Sequence, residues 1–148
     1  LNFRFRPYDT WLAYGQSKTA NALFAVEATR RWSGDRITAN AVHPGAVDSN
    51  LARHMDPAVL QGLTDSYEIK TPEEGAATSV LVATSPQLEG IGGHYFADCN
   101  EPPLVDSSEA SPPRGFAVAP YALDPDNAER LWDASLRMLG DAAARTRA

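Results

Sequence analysis

Residues 36–45 read R-I-T-A-N-A-V-H-P-G, and the fold class turns on them. Ile37, Ala39 and Ala41 alternate with Thr38, Asn40 and Val42, the two-residue period of a half-buried strand. Pro44 cannot continue a ladder, and Gly45 permits a close backbone approach. A helical pattern precedes the strand directly. From Trp11 to Trp32 there is no proline, and Gly15 is the only interior glycine. Alanine and other good helix formers dominate. Asp9-Thr10 supplies an N-cap, and Gly34 is a natural stop. Helix, strand, then a Pro-Gly loop at the strand's carboxyl end is the grammar of an α/β fold. In open α/β sheets, ligands bind outside those ends.

Working outward, Ala13, Ser17, Ala20, Phe24 and Ala28 make a stripe of mostly small residues that predicts close approach by another element. Residues 50–70 carry Leu51, Met55, Val59, Leu60 and Leu63 at roughly helical spacing, which suits a short helix or lid. Thr71-Pro72-Glu73-Glu74 then opens a helix reaching about Ser85, with Thr71 and Glu74 as a capping box. This segment is apolar nearly all round, which predicts burial against sheet or a partner subunit. Gly90–Gly93 is a turn and His94–Ala97 a short strand. Residues 98–120 hold five of the eleven prolines and read as an irregular segment covering a pocket. Asp124-Pro125 opens a last helix with Ala128, Leu131, Trp132, Ser135, Leu136 and Leu139 on one side. Gly140 is expected to end it, leaving one domain over 1–140 and a frayed tail at 141–148.

The chain has 148 residues and a net charge of −6, which argues against nucleic acid or an anionic membrane as partner. Cys99 is the single cysteine, so no internal disulfide forms and a reducing compartment fits. No apolar run spans a bilayer and no leader is visible, so a cytoplasmic location is expected. His43, His54 and His94 lack metal-ligand spacing, so no metal is expected. The first residue is Leu1, which predicts a processed chain or a piece of a longer protein.

The chemistry sits in the helix before the strand. Residues 13–21 read A-Y-G-Q-S-K-T-A-N. Tyr14 and Lys18 are four residues apart, so they project from one helical face. A cation beside a tyrosine stabilises the phenolate and draws its pKa down from about 10, toward acid–base work near neutral pH.

The order Tyr14-x-x-Ser17-Lys18-x-x-Asn21, a strand, then His43-Pro44-Gly45-x-Val47-x-Ser49 resembles the short-chain dehydrogenase/reductase family. The run A-Y-G-Q-S-K-T-A-N-A-L-F is similar to its retinol-dehydrogenase-like branch. The resemblance covers residues 1–100 well and the last helix loosely. It implies the C-terminal part of a Rossmann-type doubly wound parallel sheet, with the last two strands and their flanking helices. It implies Tyr14 as general acid or base, and Lys18 as the group that lowers the tyrosine's pKa and binds the nicotinamide ribose. Pro44, Gly45 and Val47 would lie against the nicotinamide of NAD or NADP. Ser49 would stand near the pyrophosphate, at a place usually held by threonine. Residues 50–70 would be a substrate lid, the substrate a small alcohol or carbonyl compound, and helices 11–33 and 72–85 the faces of a homo-oligomer.

The family's G-x-x-x-G-x-G turn and upstream catalytic serine have no match here. The chain is therefore expected to be part of a reductase. The alternative is a truncated, non-catalytic remnant that serves as an association module. An unpaired edge on the 37–42 strand predicts that the chain alone folds marginally and is inactive.

Overall fold

Asp9 starts the first helix. Its carboxylate accepts the Leu12 N–H at 2.7 Å, and α1 runs Thr10–Trp32. The structure is a computed structural model that describes residues 3, 5–105 and 117–146, with the backbone alone at His54 and 141–146. Residues 106–116, within the irregular 98–120 segment expected to cover a pocket, lie outside those residues. So do Leu1, Asn2 and Arg4 in the predicted N-terminal loop.

The buried face of α1 is Ala22, Leu23, Ala25, Glu27 and Ala28. Of the predicted stripe, Ala28 is buried but Phe24 remains 51% exposed. Phe24 instead joins an aromatic joint with the last helix, α4 (Pro125–Thr146). Its ring stacks on Trp132 at 5.6 Å, and Trp32 meets Trp132 edge-on at the same distance. Arg31 lies 5.0 Å over the Trp132 ring. Beneath this joint sits Glu27, whose side chain has no accessible surface. Arg30 holds it at 2.6 and 2.8 Å and Arg31 at 2.6 Å, so its own helix shields the carboxylate. The Arg30 bonds hold the carboxyl below its ordinary range, against burial, and Arg31 adds to the effect. The same arginines reach Glu129 at 3.5 Å and Asp133 at 3.8 Å on α4. The α4 helix runs through Gly140 to Thr146, where the sequence predicted a stop.

Strand β1 (Ala41–His43) pairs in parallel with β4 (Tyr95–Ala97), Ala41 opposite Tyr95 and His43 opposite Ala97. The expected strand at 37–42 thus begins late. After α1 a 3-10 turn covers Ser33–Asp35, and Arg36 takes a left-handed φ of 58°. Gly34 is not the turning residue. Side chains then serve the backbone that a ladder would have served. Thr29 Oγ1 donates to the Ala39 carbonyl and accepts the Ala39 N–H, both at 2.9 Å. Asn40 donates to the Ile91 carbonyl at 2.9 Å and accepts the His94 N–H at 3.0 Å. Thr29→Val is expected to leave the N–H of half-buried Ala39 unpaired, while its carbonyl keeps the Gly93 N–H at 2.8 Å, at a cost of about 1 kcal/mol in a denaturant melt. An unchanged melt would show that solvent satisfies that N–H.

A second parallel pair, β2 (Ala46–Val47) with β3 (Ile69–Lys70), was not anticipated from the sequence. Between them lie a 3-10 turn at Asn50–His54 and helix α2 (Pro57–Ser66), so the 50–70 segment holds a short helix as expected. Helix α3 (Pro72–Thr84) carries the predicted capping box. Thr71 N–H donates to Glu74 at 2.8 Å, and Glu74 N–H donates to Thr71 at 3.2 Å. Within the chain only Gly75 and Thr78 of this helix are buried, and Val80 is 57% exposed. The contact face is narrow because it is built from close approach. A Cβ on Gly75 would stand 2.5 Å from Val47 Cγ2. Thr78 Oγ1 accepts the Cys99 N–H at 3.0 Å.

Both α1 and α3 touch β1, and the small core joins Ala22, Val118 and Ala122 to Ala41, Tyr95 and Leu123. Helices over short parallel strands make this an α/β fold. Among the described residues, no helix is long and apolar enough to cross a membrane, and no three His, Cys, Asp or Glu side chains group as metal ligands.

Candidate active site

Tyr14 and Lys18 lie on the N-terminal half of α1. Lys18 Nζ stands 5.2 Å from the centre of the Tyr14 ring. Trp11 meets the same ring edge-on at 6.2 Å. Tyr14 is 51% exposed, so a small molecule can reach it. Ser17 Oγ donates to the Tyr14 carbonyl at 2.7 Å and leaves the phenol untouched.

The helix that bears this pair packs on β1. Burial, and then Tyr14, raise the Tyr95 hydroxyl above its ordinary pKa. Burial, then Lys70, and to a smaller extent Lys18, lower His43, while a bond from the ring to its own backbone opposes them.

In the Pro-Gly turn, Pro44 is exposed and Gly45 has φ +89°, a conformation that suits glycine. Gly45 N–H donates to His43 Nδ1 at 3.0 Å. The stem of Lys70 covers Gly45, its Cδ 3.0 Å from where a Cβ would stand. Lys70 Nζ is anchored by Asp98 at 2.7 Å. A cavity of about 540 Å³ opens here, with His43, Gly45, Lys70, Tyr67, Glu74 and Asp98 in its wall. Tyr14, Lys18, Pro44, Val47 and Ser49 are not wall residues of this cavity. Val47 turns its side chain to Gly75, and Ser49 accepts the Leu51 N–H at 3.4 Å to cap the following turn.

Of the residues singled out in the sequence, the structure brings Tyr14 and Lys18 together on α1, which packs on the strand leading into the turn of Pro44 and Gly45. The Val47 side chain packs on Gly75, and the Ser49 hydroxyl caps the following turn. Sequence reasoning missed Lys70 and Asp98, and it gave His43 only a structural or solvated role. One signal was available: Lys70 is one of only two lysines and directly precedes the helix cap.

No protein-family model matches the chain. Individual relatives do. A probable oxidoreductase of Streptomyces lividans is 48% identical over 141 residues, covering 89% of this chain and 46% of its own length. Retinol dehydrogenase 14 of Homo sapiens is 39% identical over 137 residues, covering 90% of this chain and 37% of itself. A short-chain dehydrogenase/reductase of Penicillium roqueforti is 34% identical over 137 residues, covering 89% and 39%. The chain belongs to the short-chain dehydrogenase/reductase family. It spans less than half the length of these curated relatives. The likeness to short-chain dehydrogenases/reductases extends over nine-tenths of the chain, so it continues beyond the first hundred residues.

Proposed function

We propose that the full-length protein transfers hydride between NAD or NADP and an alcohol or carbonyl compound, with Tyr14 as general acid or base and Lys18 as its electrostatic partner. The observation that carries this is the Lys18 ammonium 5.2 Å from the Tyr14 ring centre, on a helix packed on the strand that leads into the Pro-Gly turn. Relatives named oxidoreductase and retinol dehydrogenase support the reaction class. The strands and helices then belong to a Rossmann-type sheet.

The residues present suit a nicotinamide nucleotide. Lys18 offers N–H donors to ribose hydroxyls. The turn offers exposed Pro44 and a glycine without Cβ, a surface that a flat ring can lie on. When bound, the nicotinamide supplies or accepts the hydride. The chain's own part is the proton. Tyr14 Oη gives it to a forming alkoxide, or takes it from an alcohol, while Lys18 steadies the phenolate. The exposed phenol leaves room for substrate, and α2 stands at the end of β2 as a lid. The exposed outer faces of α1 and α3, including Trp11 and Val80, suit contacts between copies.

Lys18→Met in the full-length protein tests the pairing. It is expected to lower kcat/KM about 10²-fold. An unchanged kcat/KM would remove Lys18 from the mechanism. The exposed apolar surface of α3 favours a second reading, a non-catalytic association module. That reading predicts no nicotinamide nucleotide binding by the full-length protein.

A further inference from the structure

We infer that His43 is a positioning residue whose neutral imidazole, accepting the Gly45 N–H at Nδ1, holds the Pro-Gly turn in its cofactor-facing shape. The effect on cofactor rests on the oxidoreductase proposal, whereas the latch itself does not.

The Gly45 N–H lies 3.0 Å from His43 Nδ1 and closes the turn at the end of β1. An acceptor Nδ1 leaves the ring proton on Nε2, so this bond sets the tautomer. On its other side Gly45 meets the Lys70 stem, with Cδ at 3.0 Å and Cε at 3.1 Å from a would-be Cβ, and Asp98 ties the Lys70 ammonium at 2.7 Å. The glycine is therefore clamped between an imidazole and a tethered lysine, at a φ of +89° that other residues adopt only with strain.

The clamp works only with a neutral ring. An imidazolium carries N–H at both nitrogens, so Nδ1 would confront the Gly45 N–H donor to donor. The titratable groups that share the cavity wall with His43 are Tyr67, Glu68 and Lys70 near β3, Glu74 on α3, and Asp98 and Cys99 after β4, and the charges that act on it are Lys70 and Lys18 on α1. Burial and the two lysines hold His43 below its ordinary 6.5. The folded state thus favours the neutral ring. The stability this brings is present above about pH 6.5 and is lost as pH falls through the lowered folded value. The turn is latched at neutral pH and released by acid.

The test uses the full-length protein. Nitrogen NMR of the His43 ring at neutral pH is expected to show the Nε2–H tautomer, and the Nδ1–H tautomer would overturn the latch. His43→Leu is expected to speed Gly45 amide exchange and to raise the nicotinamide KM ~5–10-fold, with kcat within about twofold. His43→Asn places an acceptor oxygen near the Nδ1 position. It is expected to restore both values and to abolish the fall in cofactor affinity below about pH 6.5. Equal behaviour of the Asn and Leu variants would overturn the proposal. Should His43→Leu fail to fold, the tautomer and the pH profile of His43→Asn decide. Should the wild type bind no nicotinamide nucleotide, the proposed function falls, while the tautomer and Gly45 exchange still decide the latch.

Discussion

Tyr14→Phe is expected to lower kcat/KM of the full-length protein ~10²–10⁴-fold, with nicotinamide affinity within about twofold of wild type. The substitution is clean because the Tyr14 hydroxyl makes no hydrogen bond among the described residues. Trp11 and Lys18 both address the ring, at 6.2 and 5.2 Å, and phenylalanine keeps that ring. Ser17 bonds the backbone carbonyl of Tyr14, which is also kept. The melting temperature should therefore hold while turnover collapses. Tyr95 is the nearby alternative phenol, but burial pushes its hydroxyl up, away from the useful range. Tyr95→Phe should leave the pH–rate profile in place. Near-wild-type turnover by Tyr14→Phe would remove Tyr14 from the proton transfer.

Gly75→Val is expected to destabilise the full-length protein by about 3 kcal/mol in chemical denaturation. Glycine inside a helix normally costs about 1 kcal/mol relative to alanine, so adding a side chain to an exposed helix would help. Here geometry reverses the sign. The first added carbon would lie 2.5 Å from Val47 Cγ2 and 3.1 Å from its Cγ1. Valine is branched at Cβ and has few rotamers in which to yield. The α3 helix must therefore lift from β2, and the turn bearing Pro44 and Gly45 moves with β2. Adding Val47→Ala should recover most of the loss, because the clash is confined to one pair. A double variant no better than Gly75→Val alone would place the damage elsewhere.

Local chemistry was legible wherever one short stretch determines the outcome. The Thr71–Glu74 box, the Asp9 cap and the turn glycine at 45 each act within a few residues, and each is formed. What escaped depends on partners far away in the chain. Thr29 and Asn40 take over the backbone of residues 39 and 94, so a run with strand alternation became an extended, side-chain-braced connection. The β2–β3 pair is two residues long on each side and has no period to read. Glu27 was invisible as a core residue because charge argues for solvent, until two arginines one turn on enclose it. The site divides the same way. Tyr14 and Lys18 follow from helical spacing, while the Lys70–Asp98 tether over Gly45 joins residues 28 apart.

The tryptophans divide into two optical reporters. Trp32 and Trp132 sit ring to ring at 5.6 Å across the α1–α4 joint, close enough for their excited states to couple. Their shared circular-dichroism band should vanish when α4 undocks. Trp11 stands apart, two turns before Lys18 and edge-on to Tyr14. Under the proposed function, its emission is suited to energy transfer to a reduced nicotinamide ring at Lys18. One chain thus carries separate spectroscopic signals for docking of its last helix and for occupation of the face that bears Tyr14 and Lys18.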